Sequence, residues 1–274
     1  MRRRAERIVN AVAVATFGLL LFPFYWMIVS SLKGPEDLLS VPPSFVPAHL
    51  SLHFYSQLFG ALRLEMFFRN SVVLSVGTAI ITVVLASLGA YAVLAYRFAA
   101  RTAAARLILF VYMFPPILVV IPLYLLLSRV KLINSHPGLL LTYVAFNLPV
   151  AIWVLRAYFS SIPWELVEAG EVDGLSRLNA LRRIIVPLSL PGLAAAAVFA
   201  FIGAWNEFLF ANTFLISEHL KTLSVIIVDF NTREGTLRGE ILASSVVIAI
   251  PSFLFALFAQ RYLVSGLTAG ATRA

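Results

Sequence analysis

The chain contains no cysteine, which excludes disulfides, thiolate nucleophiles, cysteine-ligated zinc and iron–sulfur clusters. Charge is also scarce. Only 12% of the 274 residues are Asp, Glu, Lys or Arg, about half the share of an ordinary soluble domain, and this excludes a soluble globule. The four histidines, His49, His53, His136 and His219, all lie outside the long apolar runs, so histidine chemistry inside a membrane is excluded too. His49 and His53 share helical i, i+4 spacing, but a lone pair of this kind reads as polar loop residues. No Gly-Lys dipeptide occurs, so a Walker A loop is absent and the chain is not expected to bind or hydrolyse ATP by itself. There is no internal repeat to suggest an inverted-repeat secondary transporter.

What is present is apolar: 61% hydrophobic residues and a mean hydropathy of +0.92. A bilayer-spanning helix takes roughly 20 such residues, so the length accommodates about six spans and no large second domain. The expectation is an all-α integral membrane protein forming one transmembrane domain over 1–274. Its apolar stretches lie at about 8–32, 70–96, 107–128, 137–159, 188–216 and 240–263. The Arg-rich start resembles a secretory signal, but its apolar stretch is longer than such signals and holds Pro23; it reads as a retained span.

The excess of 21 Lys and Arg over 13 Asp and Glu would suggest nucleic acid in a soluble protein. Here the cations sit between apolar runs and act as topology signals, with no nucleic acid implied. Arg2, Arg3, Arg4, Arg7, Arg97, Arg101, Arg106, Arg156, Arg177, Arg182, Arg183, Arg261 and Arg273 fall on one face, leaving eight on the other. Both termini are therefore expected on the cytoplasmic side of the membrane. On the opposite face, a proline-rich segment (Pro35, Pro42, Pro43, Pro47) follows span 1 and is expected to be poor in regular helix and to cover the outer mouth.

Prolines at 23, 115, 116, 122, 149 and 251 are expected to break several spans, which lipid tolerates only beside neighbouring helices or a watery cavity. In span 5, Gly192, Ala196, Ala200 and Ala204 recur every four residues and predict close helix packing. The same span carries Trp205, Asn206 and Glu207. Counting from Pro191 at roughly 1.5 Å per residue places Glu207 about 24 Å along it. An intramembrane carboxylate needs a polar partner or a wet cavity; Glu207 and Asn206 read either as path residues for a hydroxyl-rich cargo, with Trp205 stacking on a sugar ring, or as a hydrogen bond joining helices. Tyr143 and Asn147 in span 4 either face the same cavity or, for Asn147, cap carbonyls freed by Pro149.

The loop 160–187 is too organised for slack linker. Ser161 and Pro163 predict a helix start, Glu165, Glu168 and Glu171 favour its positive end, and Gly174 supplies a left-handed stop. Ser176 caps a second short helix, and Pro187 prevents its simple continuation into span 5. Such an acidic-then-basic hairpin either docks a protein or lies on headgroups. Four carboxylates (Glu165, Glu168, Glu171, Asp173) would be repelled by anionic lipid, which favours the protein partner.

Glu168-Ala169-Gly170, then Gly174 after three intervening residues, and Ile184-Ile185-Val186-Pro187 after nine more resemble the EAA loop of ABC importer permeases, with Gly170 replacing an alanine and Val186 a leucine. Ser31-Leu32-Lys33, Arg69-Asn70-Ser71, Trp205-Asn206-Glu207-Phe208 and the ending 260–271 are similar to the smaller, six-span subunit of maltose-type importers. The resemblance implies a type I importer permease fold, with residues 163–187 acting as a coupling helix through Glu165, Glu168, Ala169, Gly170, Asp173, Gly174, Ile184 and Pro187. It implies a second ATPase contact at Gly266 and Leu267. The implied partners are a second homologous permease, two ABC ATPase subunits carrying ATP and Mg, and an extracytoplasmic sugar-binding protein; no cofactor or metal is expected on this chain. The implied function is import of a sugar or oligosaccharide. Glycerol-3-phosphate or a related polyol phosphate is an alternative cargo, and an ion-coupled secondary transporter is a more distant one that leaves the hairpin unexplained. An intramembrane enzyme is disfavoured, since the spans hold no histidine base.

Overall fold

The computed structural model describes residues 2–96, 110, 113–232 and 238–271. The described residues are helical, without strands. Four helices are long and apolar enough to cross a membrane, or five if a strongly bent pair counts as one span. They are α1 (Arg2–Ser31), α4 (Leu64–Ala95), α6 (His136–Ser160) and, after the short helix α11 (Leu223–Thr232), α12 (Arg238–Ala271), whose crossing part is Arg238–Leu257. The expected third span is represented by the shorter apolar helix α5 (Pro116–Arg129); the rest of 107–128 lies largely outside the described residues.

Two compact units divide the chain: Met1–Glu65 with Ile226–Ile250, and Met66–Val225 with Pro251–Ala274. In the first, α1 is followed by the short helices α2 (Pro35–Leu38) and α3 (His53–Phe59). The proline-rich stretch between them has no regular helix, as its composition requires. Polar anchors hold it instead. Lys33, 2% exposed, donates to the Ser44 carbonyl and lies 4.7 Å from the centre of the Trp26 ring. Asp37 accepts from the Ser44 hydroxyl (2.9 Å) and the Ala48 N–H (3.2 Å). A Cβ at Gly239 would fall 2.2 Å from the Phe54 ring, so glycine is what lets the start of α12 approach α3.

In the second unit, α6 packs along α9 (Leu190–Trp205). The four-residue period in α9 is the reason: Gly192, Ala196, Ala200 and Ala204 are all buried. A Cβ at Gly192 would lie 2.4 Å from the Tyr158 ring, so no larger residue fits without moving one helix off the other.

Of the prolines expected to break spans, Pro115 and Pro116 do so: residues 113–115 are non-helical, Pro115 is extended and α5 begins at Pro116; the other four do not. Helix runs through Pro23 in α1, Pro122 in α5, Pro149 in α6 and Pro251 in α12, each proline removing one hydrogen bond from a ladder that otherwise continues. Two further interruptions lie away from those prolines. The expected span 188–216 is cut at residues 206–208, between α9 and α10 (Leu209–Phe214), and it is bent by 85° at Ser189 from the helix before it.

Candidate functional site

Residues 161–188 form a helical hairpin, α7 (Glu165–Val172) and α8 (Arg177–Leu188). Ser161 does not cap α7. Its hydroxyl donates back to the Tyr158 carbonyl (2.7 Å) at the end of α6, and the α7 start has no side-chain cap. Gly174 does supply the left-handed stop, at φ +88°, and the Ser176 hydroxyl accepts from the Asn179 N–H (3.4 Å) as the start of α8. Across the turn, Arg177 pairs with Glu171 at 3.4 Å and lies over the Tyr96 ring at 4.7 Å.

The motif residues separate into two sets. Glu165, Glu168, Ala169 and Asp173 are exposed, alongside Leu166, Val172 and Leu178. Gly170 is buried and Ile184 half-buried, facing each other: a Cβ at Gly170 would lie 2.7 Å from Ile184 Cδ1. The consensus alanine is therefore replaced where the two helices touch. Val167, Ala180, Leu181 and Ile185 continue this inner face into a cluster with Ala86, Ala90 and Leu155 of α4 and α6. The hairpin is thus welded to the ends of the spans while its acidic edge stays open.

Pro187 acts differently from expectation. Lacking an N–H, it cannot continue the ladder, and the preceding turn Leu181–Ile185 widens to π geometry, with the Val186 N–H reaching the Leu181 carbonyl. The helix then persists to Leu188 before the bend at Ser189. Gly266 and Leu267 lie near the end of α12, where side chains are outside the described residues.

A cavity of about 760 Å³ opens where α9 is interrupted, with Tyr143, Asn147, Asn206 and Glu207 in its wall among aromatic and proline residues such as Phe114 and Pro115. Glu207 is a capping residue. Its Oε1 accepts from the Phe210 N–H (2.8 Å) and its Oε2 from the Ala211 N–H (3.1 Å), the orphan donors at the start of α10. The Glu207 carbonyl, freed by the break, accepts from the Ser224 hydroxyl (2.6 Å). The Asn147 amide donates to the Tyr143 carbonyl (2.8 Å), one turn back and not the carbonyl freed by Pro149, and its oxygen faces Gly203, where a Cβ would come within 2.4 Å. The Tyr143 hydroxyl is buried and lies beside the Glu207 carboxylate.

Trp205 is not in the cavity wall. The indole expected to stack on a sugar is 1% exposed, parallel to Phe201 at 5.6 Å and edge-on to Phe68 at 5.6 Å. It is a packing residue, because a bulky ring at the last turn of α9 is drawn into the apolar core.

Sequence reasoning missed the polar clamps beyond the break. Asn70 donates to the carbonyls of His219 (2.9 Å) and Lys221 (3.0 Å), and Ser71 accepts from the Leu223 N–H (2.8 Å). Asn134 receives the N–H groups of Ile216 (3.0 Å) and Ser217 (2.8 Å). Polar residues at the starts of apolar runs were the available signal; their partners, 80 to 150 residues away, were not.

Residues 82–268, which contain the hairpin and the break, match the family described as binding-protein-dependent transport system inner membrane component. The chain belongs to that family. Such an inner membrane component is a transport subunit. It is 36% identical to the inner membrane ABC transporter permease protein YcjP of Escherichia coli over 99% of this chain and 98% of the relative. It is 36% identical to the trehalose/maltose transport system permease protein MalG of Thermococcus litoralis, over 99% and 97%. The fold matches, at a TM-score of 0.80 and 23% identity, a chain of a bacterial ABC transporter involved in import of the acidic polysaccharide alginate, covering 96% and 98%.

Proposed function

We propose that this inner membrane component is a six-span permease subunit of an ATP-driven sugar importer, with both termini cytoplasmic. Its α7–α8 hairpin is the coupling element that seats on an ATP-hydrolysing partner. The observation that carries this reading is the division of the hairpin into a buried face continuous with the spans and an exposed acidic edge with Leu166 and Val172. An element built this way passes force into α4, α6 and α9 from whatever grips its outer edge. ATP and Mg belong to that partner. A second permease completes the path, and an extracytoplasmic sugar-binding protein delivers the cargo.

Similarity to a trehalose/maltose permease and to the diacetylchitobiose uptake permease DasC of Streptomyces coelicolor (33% identity) supports a sugar or oligosaccharide as cargo. In the cavity, Asn147 and Asn206 offer amides and Glu207 a fixed carboxylate edge, groups that suit sugar hydroxyls. Alternating access follows if ATP-driven closure of the partner pair moves the hairpin and rocks the attached spans. Replacing Glu168 by Lys tests the coupling: the purified complex is expected to lose bound ATPase subunit or sugar-stimulated ATP hydrolysis. Full assembly and transport in that variant would refute it.

A further inference from the structure

A second cavity, of about 440 Å³, lies between α5 and α6 and is lined almost wholly by apolar side chains. Val119 and Leu127 mark its ends on α5, Leu141 and Pro149 on α6. Eight residues of helix at about 1.5 Å each make it about 12 Å long, close to the hydrocarbon depth of one leaflet, about 15 Å. The one hydroxyl in its wall, that of Thr142, already donates to the Gly138 carbonyl (3.0 Å). Leu126 and Leu141 flank it and are more than half exposed, at 59% and 58%, so it opens sideways toward lipid.

Cations stand at one end. Arg129 is three residues beyond Leu126, on the same stripe of α5 and one turn closer to the membrane surface, and Lys131 follows in the turn at φ +58°. Both are exposed, and neither has a carboxylate within salt-bridge distance among the described residues. An apolar slot one leaflet deep, with two unneutralised cations at its mouth, is complementary to an acyl chain beneath an anionic headgroup.

We propose that the α5–α6 groove is a binding site for an anionic phospholipid, one acyl chain lying against Leu126 and Leu141 and the phosphate held by Arg129 and Lys131. The test is native mass spectrometry of the assembled transporter released from bilayers of equal phosphatidylglycerol and phosphatidylcholine. The wild-type complex is expected to retain phosphatidylglycerol preferentially. Arg129→Gln with Lys131→Gln should reduce that preference about tenfold without removing phosphatidylcholine. Leu141→Trp, filling the slot, should remove the retained lipid, whereas Leu125→Trp, which is exposed on the same helix but outside the groove, should not. The proposal is overturned if the charge variant keeps the wild-type preference, if the two tryptophan variants behave alike, or if a cysteine at Leu141 cross-links to the partner permease, showing that protein fills the groove.

Discussion

Glu207 illustrates how one residue can hold a break in a span open. Both of its carboxylate oxygens are engaged by N–H groups at the start of α10, and its carbonyl is held by Ser224. Glu207→Ala would orphan two donors in an apolar setting; capping losses run to about 0.5–2 kcal/mol. The expected outcome is a lower unfolding temperature of the detergent-solubilised complex and slower sugar uptake, with Glu207→Gln closer to wild type because one oxygen remains. Asp37 supplies a pH dependence on the outer segment. The Ser44 hydroxyl and the Ala48 N–H hold its carboxyl below the usual range, against a small opposing effect of burial. A depressed value stabilises the folded segment above the ordinary aspartate pKa of about 3.9 and loses that support as pH falls through the lower folded value. Protection of residues 37–48 in hydrogen exchange should therefore be constant from pH 7 to 5, fall below pH 4, and become flat in Asp37→Asn. The character of these residues was legible in sequence only as polarity in the wrong place: Glu207 stood out, while its backbone donors three and four residues on and a serine 17 positions on depend on a break that no proline announced.

At the scale of elements, the apolar runs gave four long helices close to where composition put them, since a 20-residue run has few alternatives in a bilayer. The four-residue period of small side chains correctly marked the buried face of α9. Proline was a partial guide: the break before α5 falls at Pro115 and Pro116 as expected. Four interior prolines leave their helices continuous, and the 85° bend falls at Ser189, two residues after Pro187, because the strain was absorbed upstream by the π turn. The close pairing of α9 on α6 yields a further prediction. Gly192→Val would press into the Tyr158 ring, at a cost of about 1–3 kcal/mol for overpacking; the complex should aggregate at lower temperature, and Tyr158→Ala in the same chain should recover part of the loss.

Across the whole molecule, the fold class and the hairpin were readable because both are local: apolar length, helix stops and the spacing from Glu168 to Pro187 lie within single stretches of chain. The sorting of that motif into an outer and an inner set was not, since it depends on which way each helix turns against α4 and α6. Gly170 and Ile184, expected at a partner surface, meet each other inside the hairpin. The absence of cysteine from the 274 residues allows the coupling claim to be tested directly. A single thiol placed by Ala169→Cys would sit on the exposed acidic edge. In the assembled transporter, a short thiol-to-amine cross-linker is expected to join this chain to an ATP-hydrolysing subunit in high yield. A thiol that stays freely reactive to soluble maleimide in the intact complex, with no such product, would contradict the account.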